Sequence, residues 1–183
     1  MKTYKIGVLS GSLRKDSFST KVAKHLIANA PEGLTLELMD LSNLGVFNDD
    51  FEANEPKAWK EFRDKVTELD GFIFVTPEYN RSFPALLKNA LDIASRPSTN
   101  RWNGKPAAVI GVSPGALAAA MSVNQIKQPM TFLNLVLMNS PEQYIGHAGD
   151  LFDENGTMTQ EYRINALKDY MDKFQSWVEK IVG

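Results

Sequence analysis

Ile6-Gly7-Val8-Leu9, continued by Ser10-Gly11-Ser12-Leu13-Arg14-Lys15-Asp16-Ser17-Phe18-Ser19-Thr20, reads as a buried strand that runs through a polar loop into a helix. The apolar run is short and ends abruptly at hydroxyl and glycine residues. From Ser17 to Asn29, Val22, Ala23, Leu26 and Ile27 fall on one face at helical spacing. Ser17 stands where a helix N-cap would. A buried strand leading directly into a helix is the first half of a βαβ unit.

The same alternation continues outward from this stretch. Apolar or alternating runs at Leu34–Met39, Phe72–Val75, Ala107–Val112 and Phe132–Met138 read as strands. Helical spacing covers Pro56–Leu69, Pro84–Ala94, Ala116–Ile126 and Gln160–Val182. Pro84 suits a first helical turn, where its missing N–H costs nothing. Right-handed crossovers then place helices on both faces of a parallel sheet. The expected fold is α/β: one domain over residues 1–183, three layers, a doubly wound five-stranded sheet in flavodoxin-like order 2-1-3-4-5. Asp40–Asn54 and Ser95–Lys105 are the longest irregular stretches and read as surface loops.

Composition narrows the function classes. The chain has 183 residues, with 20 Lys+Arg against 22 Asp+Glu, no Cys and two His. Without Cys there are no disulfides, iron–sulfur clusters, thiolate nucleophiles or Cys-bound zinc. Two His, at 25 and 147, are too few for a His-rich metal site. A net charge of -2 argues against a dedicated nucleic-acid binder. No apolar run reaches the roughly 20 residues of a membrane span, and no signal-peptide core precedes the first strand. The expectation is a cytoplasmic protein.

In a doubly wound sheet, ligands bind beyond the carboxyl ends of strands 1, 3 and 4. The loop at 10–20 lies at the first of these ends. Its hydroxyls, its two cations and a helix start behind them suit an anion. It matches neither Gly-x-x-x-x-Gly-Lys-Ser/Thr nor Gly-x-Gly-x-x-Gly, so a mononucleotide phosphate fits better than ATP. The competing reading is a capped helix with a polar loop and no ligand. After strand 3 comes Thr76-Pro77-Glu78-Tyr79-Asn80-Arg81-Ser82-Phe83-Pro84. Two prolines stiffen this loop. Its backbone groups could meet the edge of a planar heterocycle beside Tyr79 and Asn80, although such a loop is also an ordinary turn signal. On this reading the Glu78 carboxylate points to solvent or to Arg81.

Together, Gly-Ser-Leu-Arg-Lys-x-Ser at 11–17 and Thr-Pro-Glu-Tyr-Asn at 76–80 resemble the NADPH-dependent FMN reductase family, which includes quinone, azo-dye and chromate reductases. Ser82, Pro84 and Leu87-Lys88-Asn89-Ala90-Leu91-Asp92 extend the likeness, as does Gly104-Lys105-Pro106. The resemblance implies non-covalently bound FMN, with NADPH or NADH as hydride donor. It also implies that Ser12, Arg14, Ser17 and Ser19 hold the phosphate, that Pro77, Glu78, Tyr79 and Asn80 frame the isoalloxazine ring, and that Ser113 supplies a third contact. Ser19 stands where many relatives carry Asn, and Pro114 with Ala116–Ala120 replaces a Gly-rich stretch. The expected activity passes hydride from NAD(P)H to flavin and on to a quinone, azo, metal-oxyanion or free-flavin acceptor. No catalytic side chain is expected, because the cofactor carries the chemistry.

The alternative is a flavodoxin-type electron carrier without its own turnover. Arg14, Lys15, Arg81 and Arg101 near the site argue against it, since carriers dock through acidic faces. A flavin at a sheet edge is open, so a homodimer or homotetramer is expected, with Arg101 and Trp102 as contact candidates. Asp49, Asp50 and Glu52 read as solvated carboxylates and His25 as solvent-facing. The Ser, His and Asp residues form no triad signature.

Overall fold

In a computed structural model, residues 2–96 and 98–183 are described. The strand–helix alternation is present: β1 (Tyr4–Ser10), α1 (Phe18–Ala28), β2 (Leu34–Leu38), α2 (Lys57–Glu68), β3 (Gly71–Thr76), α3 (Ala85–Ala94), β4 (Pro106–Val112), α4 (Ala120–Phe132), β5 (Val136–Leu137), β6 (Gln143–Ile145) and α5 (Glu161–Val182). All pairings are parallel. The sheet order is β2-β1-β3-β4-β5, with β6 also on β4.

Strand residues alternate between two cores. Ile73, Val75, Ala108 and Ile110 pack with α1 and α5 on one face. Phe72, Phe74, Ala107 and Val109 pack with α2, α3 and α4 on the other. Both faces of β3 and β4 are therefore dry, which explains their continuous apolar runs. The layers and the doubly wound order are as the sequence predicts.

The fifth strand position differs. The sequence places a strand over Phe132–Met138, but Phe132 ends α4 and is 88% exposed. The edge is instead shared by two short segments. β5 pairs with Pro106 and Ala107, and β6 pairs with Ile110, Gly111 and Val112. A two- or three-residue edge strand has too few positions to show a period, so β6 left no signal. The preceding helix begins at Ala120 rather than Ala116, because residues 113–119 form an irregular turn. Pro84 sits one residue before α3, as its cap.

Trp102 is a core residue, not a surface contact. It is fully buried, and its Nε1 donates to Leu91 O at 3.0 Å. Its ring meets Phe72 edge-on at 4.7 Å. Arg101 turns back on its own loop, with Nη1 donating to the carbonyls of Arg96 and Thr99. Glu52 is not a free solvated carboxylate either: with Glu55 it pairs with the buried Arg63 of α2. His25 is half-buried rather than solvent-facing. No helix among the described residues is long and apolar enough to cross a membrane.

Candidate functional site

Three loops converge beyond the carboxyl ends of β1, β3 and β4. The first, residues 11–17, ends at Ser17, the N-cap of α1, whose Oγ accepts from Thr20 N at 3.3 Å. Lys21 N donates to Ser17 O, so the helix ladder starts there. The N–H groups of Phe18 and Ser19 precede that ladder and carry the positive end of the helix dipole. Arg14 extends from the loop, its Nη2 donating to Asp16 O at 2.6 Å and its guanidinium 5.5 Å from the Phe18 ring.

Ser19 is almost completely buried. Its hydroxyl lies 2.8 Å from that of Ser17 and accepts from Ser10 at 3.2 Å. These hydroxyls hold the loop against the end of β1. Gly11 allows the loops after β1 and β3 to touch: a Cβ there would lie 2.7 Å from Pro77 Cδ. Tyr79 closes the gap further out, donating from its hydroxyl to Ser12 Oγ at 3.1 Å.

The second loop is a two-residue hairpin. Tyr79 and Ser82 exchange both backbone hydrogen bonds, at 2.9 and 3.0 Å. Asn80 and Arg81 turn the chain with φ of 51° and 66°. Positive φ at both central residues is the type I′ pattern that matches strand twist. The Glu78 carboxylate points neither to solvent nor to Arg81 alone. Its Oε2 accepts from Met121 N at 3.0 Å and from Ser122 N at 3.4 Å, and its Oε1 stands 3.5 Å from Arg81 Nη1. The start of α4 attracts it, because that helix has no side-chain cap of its own.

The third loop begins at Ser113, whose N donates to Ile145 O and whose Oγ donates to Gly115 O. The pairing of β6 with β4 thus positions Ser113, a link the sequence did not reveal.

These pieces enclose a cavity of about 290 Å³ lined by Ser12, Arg14, Ser17, Phe18, Ser19, Pro77, Glu78, Tyr79, Val112, Ser113 and Pro114. Eight of the nine residues singled out in the sequence are brought together there. Asn80 is the exception, standing at the hairpin turn outside the lining. Phe18, Val112 and Pro114 are the additions: Phe18 follows the cap directly and stacks on Phe152, with ring centroids 6.4 Å apart. Among the described residues no group of three His, Cys, Asp or Glu is placed to hold a metal.

The donor set fits FMN. Free N–H groups, serine hydroxyls and a guanidinium at one end suit a phosphate. Pro77, Tyr79, Val112 and Pro114 at the other end offer apolar surface to a planar ring, between backbone groups that can meet its polar edge.

The NADPH-dependent FMN reductase family matches this chain over residues 4–150. The chain belongs to that family. A "Quinone reductase" from Pseudomonas putida is 43% identical over 180 residues, spanning 97% of this chain and 96% of the relative. A "2-hydroxy-1,4-benzoquinone reductase" from Burkholderia sp is 41% identical over 175 residues, spanning 95% of this chain and 96% of its own length. Among solved structures, the FerB flavoenzyme NAD(P)H:(acceptor) oxidoreductase from Paracoccus denitrificans superposes with a TM-score of 0.92 at 38% identity. It covers 98% of this chain and 99% of that one.

Proposed function

We propose that this chain is an FMN-dependent NAD(P)H oxidoreductase that reduces a quinone. The observation that carries the reading is the meeting of the 11–19 loop with the 77–79 loop in one cavity, at the switch point of the sheet. The names of the quinone reductase relatives support the acceptor. When bound, FMN would supply the hydride-transfer chemistry that links NAD(P)H to the acceptor.

The chain's residues bind and orient. Ser12, Arg14, Ser17 and Ser19, with the N–H groups at the start of α1, hold the phosphate end. Pro77, Glu78 and Tyr79 form one wall for the ring through their backbone, with Asn80 setting the turn that shapes it. Ser113 closes the third side. The side chains of these residues need perform no acid or base step. The electron-carrier reading is not favoured, since the relatives are named as reductases; of the four cations weighed against it, Arg14 lines the cavity, whereas Arg101 bonds within its own loop ahead of β4.

Exposed Leu13 and Val46, at 62% and 84%, line one open groove beside the 11–17 loop. They support a homodimer or homotetramer, because single exposed apolar residues are common but a group of them marks a contact face. A nicotinamide nucleotide as hydride donor supports a place in the cytoplasm.

Two measurements test the reading. The purified protein should carry the visible absorption bands of flavin. It should also oxidise NADPH with a quinone and no added reductase. Flavin binding with turnover only after a reductase is supplied would make it a carrier.

A further inference from the structure

The N-terminus of α4 is capped from another loop. Two alanines at φ of 52° and 61°, Ala118 and Ala119, lead into it. Neither they nor the first turn provide a capping side chain. Glu78 provides it across the cavity wall through Met121 N and Ser122 N, and its side chain is only 12% exposed. Neutral links run alongside. The Thr76 and Ser122 hydroxyls are 2.6 Å apart. Ser82 Oγ donates to Gln125 Oε1 at 2.7 Å, and Gln125 Nε2 donates to Arg81 O at 2.8 Å. Of these links, only the one through Glu78 carries charge on a dipole.

We propose that Glu78 is a positioning residue: its carboxylate, bound to α4 instead of to the cofactor, fixes the 77–82 hairpin and the 113–119 turn as one rigid unit around the FMN cavity. This rests on the FMN reading above. A charge-assisted bond to two helix N–H groups is stronger and better directed than a neutral one. Walls already ordered before binding lose less entropy when a ligand arrives. Removing the acceptor oxygen that ties α4 to the hairpin therefore weakens FMN binding although no cofactor contact is deleted, and an amide in its place keeps most of the tie.

The test compares the full chain with Glu78→Gln, Glu78→Ala and the double variant Glu78→Ala/Ala120→Asp. Gln keeps an acceptor oxygen for Met121 and Ser122. Asp at position 120 puts a carboxylate in the first turn of α4 without tying it to the hairpin. In FMN fluorescence titrations, Glu78→Ala should raise Kd about tenfold, and Glu78→Gln should stay within about threefold. In the cofactor-free protein, the Met121 and Ser122 amides should exchange faster in Glu78→Ala, while α5 amides stay unchanged. The double variant should regain the thermal midpoint and keep the raised Kd. Recovery of FMN affinity in the double variant would reduce Glu78 to a helix cap and overturn the proposal. So would equal loss in Gln and Ala with unchanged α4 amides, which would make the carboxylate a direct cofactor contact. Failure of the native chain to bind FMN would sink the cofactor reading instead, and the exchange measurement would still decide the link between Glu78 and α4.

Discussion

Arg14 is the residue on which phosphate recognition turns. Its guanidinium lies free of any carboxylate partner within the 11–17 loop and leans on the Phe18 ring, beside the open N–H groups of α1. A charge-assisted contact of this kind contributes roughly 1.5–3 kcal/mol. Arg14→Ala should therefore weaken FMN by about ten- to a hundredfold and leave riboflavin nearly untouched. Parallel titrations of the apo variant decide it: equal loss for both ligands would place Arg14 elsewhere. Asn80 acts through the backbone. At φ of 51° it needs a residue that tolerates the left-handed region, and its side chain stays out of the cavity. Asn80→Gly should keep FMN affinity within about threefold. Asn80→Pro, locked near -65°, should lose more than about tenfold. An Asn80→Pro variant with native affinity would refute the hairpin as the shaping element.

At the scale of elements, the 113–119 turn holds the strain. Ala118 and Ala119 both adopt positive φ, where a Cβ meets the following carbonyl at roughly 1–2 kcal/mol per residue. Gly111 makes the geometry possible, since a Cβ there would lie 2.5 Å from Ala118 O. Ala119→Gly should relieve most of that strain and return part of it as backbone entropy. The net gain should be about 0.5–1 kcal/mol, read as a thermal midpoint raised by roughly 1–4 °C. An unchanged or lower midpoint would mean that the turn relaxes at no cost. This turn also shows why the start of α4 escaped the sequence. An alanine-rich stretch has high helix propensity, but here it lies close against Gly111 and Gly146 and turns through Ala118 N to Gly115 O, while Glu78 caps the helix further on, at Met121 and Ser122.

For the molecule as a whole, pH and association are the accessible readouts. Burial between α1 and α5 lowers the pKa of His25 below its ordinary value of 6.5. The unfolded chain then takes up that proton first as pH falls. Stability should be fully present above about pH 6.5 and decline below it, down through the depressed folded value. His25→Gln should flatten the thermal midpoint between pH 7.5 and 5.5. An unchanged slope would assign the effect to other groups. The second readout is mass. The protein should scatter light as a dimer or tetramer, and Val46→Asp, at an 84% exposed site, should shift it toward monomer. A native monomer with full activity would show that the site is complete in one chain.

The fold was legible because each signal is local. Buried strands β1, β3 and β4 advertise themselves as apolar runs, and α1, α2 and α5 as faces with helical period. Their alternation then admits one hand of crossover. The loops at 11–19 and 77–80 were legible for the same reason: their chemistry depends on residue types a few positions apart. Whatever rests on contacts distant in sequence was decided only by tertiary structure. Trp102 became core because β3 and α3 enclose it. The sheet edge split into β5 and β6 because β4 offers partners to both. The Glu78 carboxylate was drawn from solvent to Met121 and Ser122, more than 40 residues away, because folding sets an uncapped helix end beside it. Local pattern reports which elements form, while the partner of a charge or an edge depends on distances that exist only after the chain has closed on itself.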